Sequence, residues 1–213
     1  MNRTLIQLTP PASEPVTLAE ARQWCRVEAD DDDSLISGLI SAARSYVEMF
    51  TRRAILTQRW KLLVSSFPTD PSSLAPIAHW YATAWDGPLV LPRAPLAAVE
   101  SIRFYSGGTL STWDPASYVA VPGSPGRIRP VQSAWWPILD YRDDALQVTF
   151  RAGYGDAIAD VPADVAEPAR LAMRLLVSSW YANREAALTG LSALPIPYGV
   201  EAVLSPLLYG VYC

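Results

Sequence analysis

The hydrophobic period of this chain changes twice, and those two changes constrain its fold more than any motif does. From Leu18 to Phe50 the apolar residues recur at the spacing of amphipathic helices. Near Thr57 the spacing drops to two. Trp60, Leu62 and Val64 alternate with Arg59 and Lys61, the pattern of a half-buried strand. After "AGYGDAIADVP" the helical period returns. The pattern predicts an α+β chain: an N-terminal helical pair and a long C-terminal helix form a bundle, an antiparallel β domain is inserted between them, and an extended tail follows. The expected boundaries are 1–56 for the first helices, 57–152 for the β domain, 153–187 for the long helix and 188–213 for the tail.

The first helix opens on "TLAE", Thr17 to Glu20. This is a capping box, in which a hydroxyl and a carboxylate three residues apart satisfy free N–H groups at the helix start. Leu18, Ala21, Trp24 and Cys25 supply its apolar face, and it ends near Val27. The second helix follows "ADDDDS" and carries a stripe of Leu35, Ile36, Leu39, Ile40, Ala43, Tyr46, Val47 and Phe50. Arg52 and Arg53 stand at its C-terminal end, where cations suit the helix dipole. In the third helix Val165, Ala169, Ala172, Met173, Leu176, Val177 and Trp180 share a face and extend the reading to about Glu185. Pro168 fits there only in the opening turn. Leu171 and Leu175 add a second apolar face, which predicts burial on two sides, by its own domain or by a neighbouring subunit.

Within the β domain, strands are expected at 88–91, 99–106, 117–121 and 145–150. Turn signals separate them at 106–108, 122–126 and 140–144. Short strands between turns suggest an antiparallel sandwich or small barrel. Residues 66–88 read as a long loop containing one strand. The tail, "LTGLSALPIPYGVEAVLSPLLYGVYC", is apolar, almost uncharged and broken by proline and glycine. An exposed segment of this kind is expected to serve as an interaction site.

Composition excludes several classes of function. Half of the residues are hydrophobic, enough for a substantial core, so the chain is not disordered. A net charge of −4 argues against a general nucleic-acid binder. Lys61 is the only lysine, and the arginines that carry the remaining positive charge suit interfaces. The two cysteines, Cys25 and Cys213, fit no metal-ligand spacing. No stretch approaches the roughly 20 apolar residues of a membrane span, and the N-terminus lacks the apolar run of a signal peptide. The expected place of synthesis is the cytoplasm.

No catalytic constellation emerges. A calcium loop begun at Asp30 would need glycine at its sixth position and glutamate at its twelfth, where the chain has Leu35 and Ser41. Asp33 is better read as the N-cap of the second helix, with its neighbours in the favourable end of the dipole. His79, the only histidine, sits among aromatic and small residues with no partner at triad spacing. No nucleophile elbow, zinc-protease motif or Walker lysine is present. No metal, cofactor or catalytic residue is therefore expected. The rival reading is a carbohydrate- or receptor-binding β module. "SAWWPILDYRDD" sets Trp135 and Trp136 near Tyr141, Asp140, Asp143 and Asp144, and aromatic platforms beside carboxylates can bind sugars.

Three stretches, in order, carry a family likeness: "EPVTLAEARQWCRVEADDDDSLISGLISAARSYVEMFTRRAI", "LPRAPLAAVESIRFYSGG" and "VTFRAGYGDAIADVPADV", the last followed by a helix ending "WYANREA". Together they resemble the head–tail connector (head-completion or adaptor) proteins of long-tailed bacteriophages. That resemblance implies a structural protein of the virion's head–tail interface, made in the bacterial host. It implies a homo-oligomeric ring, typically a dodecamer, that binds the portal and the next tail component (a stopper or tail terminator). The ring would continue the DNA channel without sequence-specific contact or membrane association. On this reading Ile196, Tyr198, Val203, Leu204, Leu207, Leu208 and Tyr209 dock on the portal, and Tyr46, Leu171, Leu175 and Trp180 lie at subunit interfaces.

Overall fold

A computed structural model of the protein describes residues 2–67, 87–183 and 198–208. The chain divides into two compact units. A β unit is built from Met1–Pro10 and Thr57–Gly153, and a helical unit from Pro11–Leu56 and Tyr154–Cys213. The α+β class read from the two changes of period is the class observed.

The helical unit holds α1 (Leu18–Cys25), α2 (Asp33–Thr51), α3 (Ala163–Ala182) and α4 (Tyr198–Leu204). Its core lies where α2 and α3 face each other. Ile36, Ile40, Ala43 and Val47 of α2 meet Val165, Ala169, Ala172, Met173, Leu176 and Val177 of α3, all buried. Burial of each large side chain is worth about 1.5–3 kcal/mol. Trp24 departs from the expected apolar face of α1: it is 42% exposed, while Ala21 points inward. Pro168 is the sixth residue of α3, beyond the opening turn. The hydrogen bond it cannot donate would have gone to Asp164, which is exposed, so water can take that carbonyl.

The last described segment differs most from expectation. Residues 198–207 are helical, not extended: α4 runs straight into a 3-10 turn, Ser205–Leu207. Val200, Leu204 and Leu207 recur at helical spacing and are buried in the core of the helical unit. Arg53 fastens this segment, its Nε donating to the Leu207 carbonyl at 2.8 Å and its Nη1 to the Tyr154 hydroxyl at 2.7 Å.

The β unit contains two antiparallel sheets. β1 (Arg3–Thr9), β2 (Gln58–Val64), β4 (Leu96–Ser106), β5 (Thr109–Thr112) and β8 (Leu146–Ala152) form a sheet in the order β1-β2-β8-β4-β5. β3 (Leu89–Val90), β6 (Tyr118–Val121) and β7 (Arg127–Pro130) form the second, ordered β3-β7-β6. The alternation in β2 holds residue by residue, with Trp60, Leu62 and Val64 buried and Arg59 exposed. The first ten residues, expected among the helices, instead supply an edge strand of this unit.

Candidate functional site

The aspartate run is a joint between helices. Asp32, not Asp33, occupies the N-cap of α2, and its side chain makes no capping bond. Its carboxylate accepts a hydrogen bond from the Tyr181 hydroxyl at 2.5 Å, tying the start of α2 to the end of α3. Arg22 of α1 lies 2.5 Å from the Asp30 carboxylate and 3.4 Å from that of Asp33. The left-handed C-cap at Arg26 ends α1 and turns the chain, so the aspartates follow within reach of Arg22. Among the described residues no group of His, Cys, Asp or Glu could hold a metal ion, and no helix is long and apolar enough to cross a membrane. Cys25 is a free thiol whose pKa burial pushes up.

A surface suited to a protein partner lies on the outer side of α1, α3 and α4. The capping box fixes its first wall. Thr17 Oγ1 accepts the Glu20 N–H at 3.2 Å, and Glu20 Oε2 accepts the Thr17 N–H at 2.9 Å. The other Glu20 oxygen pairs with Arg170 of α3. The backbone bond from Thr17 is the main influence holding the Glu20 carboxyl below its ordinary pKa; partial burial opposes it, and the Thr17 hydroxyl and Arg170 add to it. Arg174, one turn on, lays its guanidinium over the Trp24 ring at 5.2 Å. Arg174 belongs to two adjoining hollows, one lined by Glu20, Gln23, Trp24 and Arg26, the other by Glu167, Pro168, Leu171 and Val203. The result is a strip in which Trp24 lies with Arg26 and Arg174, residue types enriched at the energetic centre of protein interfaces, beside the apolar Leu171 and Val203 and the acidic Glu20 and Glu167.

The structure brings together two residues expected on different surfaces, Leu171 at a subunit contact and Val203 at the portal. It separates the others. Leu175 and Trp180 are half-buried against the core, and so is Tyr46, whose ring stacks on Phe50 at 6.2 Å. Burial raises the Tyr46 hydroxyl pKa, with the Glu201 charge adding to it. Leu204 and Leu207 do not serve as exposed docking residues here, because both fill the core of their own unit. Leu208 is half-buried. Ile196, Tyr209, His79 and Cys213 lie outside the described residues, and of Tyr198 only its place at the start of α4 is described. Sequence reading missed the Trp24–Arg174 pairing. Its one signal was an aromatic residue at the edge of a short helix's apolar stripe.

The tryptophan pair proposed as a sugar platform is divided. Trp136 is buried, with its ring 4.6 Å from Phe67 and 5.3 Å from Trp113. Trp135 is 76% exposed. One ring is core and cannot form a platform with the other.

The joint between α1 and α2 lies in a stretch that is similar to a known family. Residues 15–84 match the family model described as Phage gp6-like head-tail connector protein, as the sequence resemblance led us to expect. The matched family is one of structural connectors, not enzymes. In fold the chain is similar to a chain in the neck of an empty GTA particle solved with C6 symmetry, with a TM-score of 0.71 and 22% identity over 97% of this chain and 95% of that one. It is equally similar to a chain in the virion of a native gene transfer agent (GTA) particle, with a TM-score of 0.71 and 21% identity over the same shares. For the neck of the native GTA particle with C12 symmetry the values are 0.66 and 22%. No curated protein matches the chain.

Proposed function

We propose that this protein is the structural adaptor between the portal of a phage or phage-like capsid and its tail, assembling as a ring that continues the DNA channel. The observation that carries this reading is the connector family match over the helical joint, on a fold similar to a chain of a particle neck across nearly its whole length. The C6 and C12 symmetries of the similar neck structures favour a ring, and a dodecamer in particular. The adaptor would sit in the virion at the head–tail interface, with the portal on one side and the next tail component on the other. The net charge of −4 suits a channel through which duplex DNA slides, since affinity for phosphates is mainly electrostatic.

Within this reading, the strip of Trp24, Leu171, Arg174 and Val203 is a protein contact, and the chain after α4, beginning at Leu208 and Tyr209, reaches for the portal. Leu204 and Leu207 anchor the described part of the C-terminal region in the helical core. Tyr46, Leu175 and Trp180 are proposed to complete subunit contacts at their exposed edges. The test is light scattering after size exclusion, on the protein alone and mixed with the portal of its own particle. A complex of defined mass is expected, and it should be lost on deleting residues 209–213 together with Val203→Asp. Deletion from residue 194 is unsuitable because it removes α4 from the core. If the intact protein ignores the portal, the adaptor reading falls.

A further inference from the structure

The charges of the chain are divided unevenly. The β unit carries nine Lys and Arg against seven Asp and Glu, and the helical unit eight against fourteen. Within the β unit, cations gather on the outward side of the five-stranded sheet. Register sets Arg59 of β2 directly opposite Arg151 of β8, and Lys61 opposite Thr149. Arg103 of β4 stands opposite Gln147. Like charges directly opposite on a ladder destabilise it. Glu100 offsets this in part, bonding Arg59 at 2.6 Å and lying 3.8 Å from Arg151. Lys61 and Arg103 have no ion-pair partner among the described residues. The fold itself does not need these cations, because Trp60, Leu62, Val148 and Phe150 make the core on the other side of the same strands.

We propose that this basic sheet face docks the acidic corner of the helical unit of a second copy of the chain. The corner comprises Glu28 and Asp31, both exposed, beside Leu35, which is 39% exposed. Asp30 and Asp32 are already engaged by Arg22 and Tyr181. The corner lies at the N-terminal end of α2, and the chain leaves for the β unit from that helix's other end, after Thr51. Ile6, 40% exposed and paired with Lys61 across β1 and β2, gives the basic face an apolar anchor to match Leu35. Complementary patches on different units of one chain make a heterologous contact, the kind that closes into rings. The proposal therefore rests on the ring reading and names the surfaces that would join. Duplex DNA is the less suited occupant, because the chain carries a net charge of −4 and phosphate affinity is mainly electrostatic.

Sedimentation velocity of the full chain, at rising concentration and at low and high salt, tests the contact. The wild-type protein should associate at low salt and weaken on adding salt. The double variants Lys61→Glu/Arg103→Glu and Glu28→Lys/Asp31→Lys should each weaken association by about tenfold or more. Mixed together they should associate again, since each supplies the charge the other lacks, and circular dichroism would show both to be folded. A wild-type chain that stays monomeric at low salt and high concentration overturns the docking. Association unchanged in both variants overturns it too, while leaving the ring reading intact; that reading falls separately if the portal is not bound. Lys61-dependent binding of a labelled DNA duplex, without self-association, would reassign the face to nucleic acid.

Discussion

Thr17 and Glu20 fix the start of α1 by bonding each other's backbone N–H groups, so either can be tested alone. Thr17→Ala should lower stability by about 1 kcal/mol, seen as an earlier urea midpoint with unchanged slope. Glu20 also carries a pH signature. Its carboxyl titrates lower in the folded protein than the ordinary value of about 4.3. Its stabilising contribution is therefore complete above that value and is lost as pH falls through the folded pKa. Unfolding curves between pH 7 and 3 should lose part of their acid slope in Glu20→Gln. Glu48 is the more severe case. It is buried, pairs with Arg44 at 3.0 Å and accepts the Ile55 N–H at 2.9 Å. Glu48→Ala should cost about 3 kcal/mol, the lower end for breaking a buried pair, because Arg44 retains Glu14. The capping box was legible because both partners lie within four residues. Arg53 was not, since its partners are 101 and 154 residues away.

Among the elements, α4 most changes how the C-terminal region is understood. Val200 and Leu204, with Leu207 of the turn that follows, make it part of the helical core, and Leu204→Ala should destabilise the protein by about 2–5 kcal/mol, measurable by chemical denaturation. Trp135→Ala, by contrast, removes only an exposed ring and should leave stability within about 0.5 kcal/mol. The elements readable in advance were α1, through its capping box, α2, α3, β2, most of β4 and β8, and the short strands β3 and β6, which fall within the expected 88–91 and 117–121. β1, β5, β7 and α4 were missed for identifiable reasons. In β1, six of seven residues are exposed, so no apolar alternation marks it as half-buried. β7 is four residues long and β5 lies just beyond the Gly107–Gly108 turn, too short for a period to register. In α4, Gly199 and the nearby Pro206 obscured the spacing of Val200, Leu204 and Leu207. The candidate strip was only half legible: Leu171 was visible as a second apolar face, but the pairing of Trp24 with Arg174 depends on how α1 and α3 meet.

At the scale of the whole molecule, neither unit is a single stretch of chain. β1 comes from the first ten residues and covers an edge of β2, whose other neighbour is β8. A fragment of residues 57–153 should therefore expose an unpaired strand edge and self-associate. Size exclusion should show oligomers of the fragment that disperse when residues 1–10 are supplied on a flexible linker. The same interleaving bears on how the protein is made. On the ribosome, α1 and α2 emerge early, yet their partner α3 is finished about 130 residues later, roughly 7–26 s at ~5–20 residues per second. During that interval the apolar face of α2 has no native partner while the whole β unit is synthesised. The nascent chain thus folds its middle before its first helices can close, and Ile36, Ile40 and Val47 are where a chaperone would find it.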